Sequence, residues 1–247
     1  MASLNVERLS LTRAYHAVSE ALQRYIVSGG LKPGDPLPTE FELCEMFGVN
    51  RSTVREGIRQ LEAEGLVTRE SRKRLVVSIP GSGNLAPQVT RALVMNQVTF
   101  RDLLLVAMQL EPLAAELAAQ RATAEHVAGM EANVAGLAAA IESNGDSIDF
   151  DLEFHGLLAR CSENQVLLLS REPVSLLLFR TYEEIRPEIA QAQRRNLEAH
   201  RKILDAVRHG DTAGARDWME RHLRDFELGW RLAGRQMDEP IHPSTSL

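Results

Sequence analysis

Residues 36–67, PLPTEFELCEMFGVNRSTVREGIRQLEAEGLV, decide the reading of this chain. Leu43, Met46 and Phe47 recur at helical spacing, and Gly48 then ends that short helix in the manner of a C-terminal cap glycine. Val49 and Asn50 carry a turn. Ser52 is placed to cap a second helix, with Arg51 beside it, Arg55 one turn on and Arg59 a turn further. Val54, Ile58 and Leu61 give this second helix a buried stripe. Such a pair is laid out as a helix-turn-helix, whose second helix sets its N-terminal residues against base edges in the major groove. The plainer alternative is an ordinary helical pair with a solvated arginine face, and the flanks argue against it.

Past Gly65, Leu66 and Val67 continue the apolar run, followed by the polar stretch from Thr68 to Arg74 and the β-prone Leu75, Val76 and Val77. β-branched runs bounded by polar residues favour strands, so this segment predicts a two-stranded wing with a basic tip. Between residues 51 and 74 there are seven Arg or Lys against four Glu, a local charge of +3 in a chain whose net charge is −6. Positive charge is concentrated where phosphates would be met.

The 247 residues suggest one large or two ordinary domains, and 44% hydrophobic with 25% charged residues is the balance of a globular protein. No apolar run approaches the roughly 20 residues that span a bilayer, and no secretory core precedes the first helix. Cys44 and Cys161 stand far apart and outside any CxxC pair, so a structural zinc knot is not expected. A cytoplasmic location and no membrane partner follow. A first helix is predicted over 11–28, and LKPGDPLP (31–38) reads as a turn-rich connection. IPGSGNLAPQ (79–88) reads as the domain boundary. Everything beyond about residue 89 has helical periodicity, with breaks near Gly145 and at His209-Gly210-Asp211. The expected fold is therefore mainly α. A winged helix-turn-helix domain occupies 1–79, and 80–99 form a linker and the start of the first bundle helix. An all-α antiparallel helix bundle then covers 100–235, and 236–247 form a flexible tail.

Within the helical part, Asp151 and His155 are four apart in DLEFH and share one helix face, while His200 and His222 each sit beside an apolar stripe. One carboxylate and three imidazoles converging in a bundle suit a divalent transition metal. The competing reading is three hydrogen-bonded core histidines. No glycine-rich phosphate loop, nucleophile elbow or HExxH pair is present, so catalysis is not expected.

These residues resemble a known family. The stretch 36–67 is similar to the winged helix of GntR-type bacterial transcription regulators. LEPLAAELAAQRAT (110–123), DLEFHGLLARCSEN (151–164) and HRKILDAVRHGDTAGARDWMERHL (200–223) resemble the ligand-binding domain of their FadR-like, or FCD, branch. The resemblance implies a homodimeric regulator, a repressor by first reading, on a near-palindromic double-stranded operator. It also implies a small carboxylate metabolite as effector. A metal would be held by an Asp and three His, carried over onto Asp151, His155, His200 and His222, with zinc as the first choice and nickel or manganese as alternatives. DNA contacts map to Arg51, Ser52, Thr53 and Arg55, with the wing tip at Arg72 and Lys73. The chain departs from the family at Phe41, where an arginine is usual, and at the wing, which offers Ser71-Arg72-Lys73-Arg74 instead of a glycine turn. It departs again at Ala107 and Met108, where an arginine usually precedes the glutamate matched by Glu111; Arg101, Arg180 or Arg186 are the candidate replacements for clamping an effector carboxylate. Two other readings remain at this point: a helical metalloenzyme fused to a DNA-binding domain, and a regulator whose C-terminal domain only dimerises.

Overall fold

The computed structural model describes residues 11–71, 74–189 and 191–241. The expected wing-tip contacts Arg72 and Lys73 lie outside the described residues. The chain divides into two compact units between Leu85 and Ala86.

In the first unit, α1 (Leu11–Val27), α2 (Glu40–Phe47) and α3 (Arg51–Ala63) precede strands β1 (Val67–Arg69) and β2 (Leu75–Val77). The strands pair antiparallel, with Val67 opposite Val77 and Arg69 opposite Leu75, which is the predicted wing. Val18, Leu22, Leu43, Val54, Ile58, Leu61, Val67 and Val77 form the core. A reciprocal capping box opens α2: Glu42 N–H donates to Thr39 Oγ1 (3.3 Å), and Thr39 N–H donates to Glu42 Oε2 (2.7 Å). Gly48, at φ 64°, closes that helix in the left-handed region that glycine adopts without strain. The cap of α3 is Asn50 and not Ser52. Asn50 Oδ1 accepts from Thr53 N–H (2.9 Å) and from the Ser52 hydroxyl (2.7 Å). An asparagine caps at least as well as a serine, and starting at Arg51 turns the first arginine outward. Gly57 lets α1 and α3 approach, since a Cβ there would lie 3.0 Å from Tyr15 O.

Helix α4 (Ser82–Met95) starts before the division and ends in the second unit, whose other elements are α5 (Phe100–Arg121), α6 (Ala124–Glu142), α7 (Ile148–Cys161), α8 (Gln165–Ile185), α9 (Ala192–Arg208) and α10 (Thr212–Leu232), with a 3-10 turn at Arg186–Glu188. Helix α5 packs against α7, α8, α9 and α10. Its buried Ala107, Ala114, Ala115, Ala118 and Ala119 let those neighbours approach its backbone. Two expectations are corrected. Residues 80–99, expected as a linker and the start of the first bundle helix, hold a separate helix, α4, which accommodates Pro87. The chain beyond 235 is not a loose tail as far as Ile241: Met237 and Ile241 are buried. Arg101 N–H donates to Met237 O and Ile241 N–H to Val98 O, both at 3.0 Å. Two apolar side chains four apart and two backbone bonds outweigh the loop signal of the flanking proline.

Candidate metal centre and nucleic-acid interface

Helix α7 supplies Asp151 and His155 from one face, α9 supplies His200 and α10 supplies His222. All four are buried, and one ligand atom from each lies within 4.8 Å of the others. His155 Nε2 and His222 Nε2 face each other at 3.3 Å, a pair in which at most one nitrogen can donate. His200 Nε2 is 3.2 Å from Asp151 Oδ1. Neither ring nitrogen of His200 has a hydrogen-bond partner, so that contact has ion-pair distance without hydrogen-bond alignment. Four potential ligand atoms thus converge on one space, with the His155–His222 contact the one aligned hydrogen bond between them. The rings are held by aromatic neighbours: Phe154 stacks on His200 with centroids 3.9 Å apart, and Phe179 lies 4.3 Å from His155.

Burial pushes the His200 imidazole below its ordinary range, against the opposing pull of Asp151. Burial pushes His222 well below it, with help from the other two histidines. For Asp151 burial works toward protonation, yet the His200 contact and the surrounding imidazoles prevail and hold the carboxyl well below its usual range. The donor set is thus three imidazoles, with His200 and His222 favoured in the neutral form, and one carboxylate, the composition that borderline divalent ions take.

A second layer supports it. Glu111, fully buried on α5, has Oε2 2.9 Å from His155 Nδ1. Its Oε1 accepts from Arg171 Nε at 2.8 Å and from the Ser175 hydroxyl. Burial alone would raise its pKa; Arg171, His155 and Ser175 together bring it down to about 2. An ionised Glu111 can only accept, so His155 Nδ1 carries a proton and the ring is turned with Nε2 toward the cluster. Asn196 Nδ2 donates to Asp151 Oδ1 at 2.9 Å. Sequence reasoning missed Arg171, Ser175 and Asn196, and had noted Glu111 only as a landmark. The available signal was a lone Glu-Pro and a lone Arg-Glu-Pro inside Leu- and Ala-rich helical runs.

Beside the cluster is a cavity of about 20 Å³, lined by Asp151, His222, Phe179, Tyr182, Glu183, Arg186, Asn196, Asp225 and Phe226 among others. Of the three candidate effector arginines only Arg186 lines it, and Arg186 Nε donates to Glu183 Oε2 at 2.6 Å. Arg101 pairs with Asp238 (Nη2 to Oδ2, 3.0 Å) near the start of α5, and Arg180, half-buried on α8, is not part of the lining.

In the first unit Arg51 and Arg55 project from the first turns of α3 and are exposed. Both reach one carboxylate, Glu40, with Arg51 Nε at 2.7 Å and Arg55 Nε at 3.7 Å. Ser52 is exposed as expected, whereas Thr53 is buried and its hydroxyl donates to Asn50 Oδ1 at 2.9 Å, a capping role.

Residues 2–77 match the family model of bacterial regulatory proteins, gntR family, and residues 102–225 match that of the FCD domain. The chain belongs to the GntR family and carries an FCD domain. The Uxu operon regulator of Haemophilus influenzae is 30% identical over 233 residues, covering 91% of this chain and 84% of that protein. The HTH-type transcriptional regulator LutR of Bacillus subtilis is 32% identical over 207 residues, covering 82% and 94%. The galactonate operon transcriptional repressor of Escherichia coli is 29% identical over 77% of this chain and 85% of its own length. The solved Streptococcus agalactiae GntR superposes with a TM-score of 0.61 at 26% identity, covering 85% of this chain and 98% of that one. This GntR-family chain is a DNA-binding transcriptional regulator and not an enzyme. Among the described residues no helix is long and apolar enough to cross a membrane.

Proposed function

We propose that this GntR-family regulator is a cytoplasmic homodimer that represses transcription from a near-palindromic operator, and that a small carboxylate metabolite modulates its grip through a metal in the FCD domain. Asp151, His155, His200 and His222 would hold the metal, a divalent transition ion with zinc as first choice and nickel or manganese as alternatives. Such an ion, when bound, supplies an electrophilic point at which a carboxylate oxygen can complete the coordination shell. The observation that carries this reading is the convergence of four buried donor atoms within 4.8 Å, with His200 making no aligned hydrogen bond from either nitrogen. Core histidines in a purely dimerising domain would instead be hydrogen-bonded, because an unmatched buried polar atom is costly.

The protein's own side chains supply the response. The 20 Å³ cavity beside the cluster has room for about one water molecule. A metabolite can enter only if the Phe179, Tyr182, Arg186 and Phe226 side chains around it rearrange. Binding is thereby coupled to helices α8 and α10, and an effector acts on DNA affinity only through such a difference between two states. Of the candidate arginines, Arg186 is supported by its place at this cavity. On α3, Arg51 and Arg55 would read base edges, with Ser52 on phosphate. The deciding experiment is metal analysis of untagged protein, alongside DNA binding with a panel of organic acids. One metal per chain and an acid that shifts operator affinity are expected; metal-free protein that still responds to an acid would refute the metal-assisted reading.

A further inference from the structure

Phe41, the second residue of α2, is 69% exposed. A lone exposed aromatic usually carries no meaning, but this one has a particular setting. Its neighbour Glu40 reaches across to α3 and contacts both Arg51 and Arg55, so the turn bearing Phe41 is tied to the base-reading end of the helix. With Leu37, Pro38, Cys44 and Leu75, the ring lines a surface groove of about 440 Å³ whose other walls include Arg51 and Arg69. The groove thus joins an apolar lining to Arg51 and Arg69, with Glu40 also in its wall and paired to Arg51. Within the major groove of DNA the thymine 5-methyl is the apolar feature of the base edges, and aromatic or methyl-bearing side chains contact it, while arginine pairs with guanine.

We propose that Phe41 is a specificity-determining residue, whose ring covers the 5-methyl of a thymine next to the base pair read by Arg51. The proposal rests on α3 being the base-reading helix, and it concerns only what Phe41 contributes beside it. Phe41 makes an apolar contact and offers no charge to phosphate, so its contribution is to sequence preference and not to the salt dependence of binding.

The test starts from an operator selected out of a random duplex pool by the full-length protein. Thymines are then replaced one at a time by deoxyuridine, which removes only the methyl. At about 0.8 kcal/mol for one buried methyl-sized group, one thymine per half-site should lose about fourfold in affinity on replacement. Phe41→Ala should bind the thymine operator more weakly and be indifferent to deoxyuridine at that position, with its salt slope and circular dichroism unchanged. Phe41→Leu should keep most of the preference. The proposal is overturned if no thymine matters to the native protein, or if Phe41→Ala keeps the same loss. It is equally overturned if Phe41→Ala weakens binding uniformly on all sequences, which would place the ring on sugar. Arg51→Ala is the control: an unaltered base preference there would overturn the reading of α3 itself, whereas lost discrimination beside the same thymine supports both.

Discussion

Glu111 Oε2 lies 2.9 Å from His155 Nδ1, with both side chains fully buried, and the other oxygen of the same carboxylate accepts from Arg171. One carboxylate thus sets the tautomer of a histidine in the cluster and neutralises a buried guanidinium. Glu111→Gln should strip both functions at once. Arg171 would keep only Glu172, 3.1 Å from its Nη1, so loss of the buried pair should cost up to about 3–5 kcal/mol, and metal affinity should drop about 10- to 100-fold. Denaturant unfolding and metal competition titrations check this; unchanged metal affinity in a folded variant would contradict the orienting role.

His200→Ala removes the imidazole that sits 3.2 Å from Asp151 without an aligned hydrogen bond. Metal content measured by mass spectrometry should fall well below one per chain, and the effector's influence on DNA binding should vanish. DNA binding without effector should largely persist, since α3 lies in the other compact unit. A variant with full metal occupancy and a normal effector response would show the cluster to be core packing.

Arg51→Ala and Arg55→Ala should each weaken operator binding by about 1–3 kcal/mol and relax specificity at one base position. Both side chains are exposed, so folding should be intact. Equal losses on operator and random DNA would mean that the arginines touch only phosphate.

Acid should destabilise the helical unit in two stages. Burial lowers the pKa of His200 and His222, so the folded state holds them neutral while an unfolded chain takes up protons near pH 6.5. The stability they provide is present above that range and is lost as pH falls through it. Glu111, brought down to about 2, adds stability that is lost further down, below the ordinary carboxylate range. Thermal midpoints of metal-stripped protein should therefore decline from about pH 7 to 5.5 and again below about pH 4. A flat profile across the upper window would show that the histidines are not buried neutral.

The dimer expectation is checked by sedimentation. A two-fold dimer at micromolar concentration should bind one near-palindromic duplex, whose half-sites match the spacing of two α3 helices. A monomer bound one-to-one to a half-site would refute it.

Local chemistry made much of this protein legible in its sequence. Gly48, the Val54, Ile58 and Leu61 stripe, and the β-branched 75–77 run specify helix, turn, helix and wing within about 40 residues, because periodicity and cap residues act over one or two turns. Asp151 and His155 could be paired for the same reason, being one turn apart on one helix. Tertiary packing decided the rest. His155 and His222 are 67 residues apart, and Glu111 and Arg171 are 60 apart. No local pattern brings such residues together; only the packing of α7, α8, α9 and α10 around the alanine face of α5 does. The same holds for Met237 and Ile241, which look like tail residues until the bundle offers them a surface to cover. Thr53 looked like a DNA contact until Asn50 took its hydroxyl into the cap. Burial and partner choice depend on surfaces the whole fold creates, so the sequence by itself determined the elements and the candidate ligands, and the tertiary structure decided which of them meet.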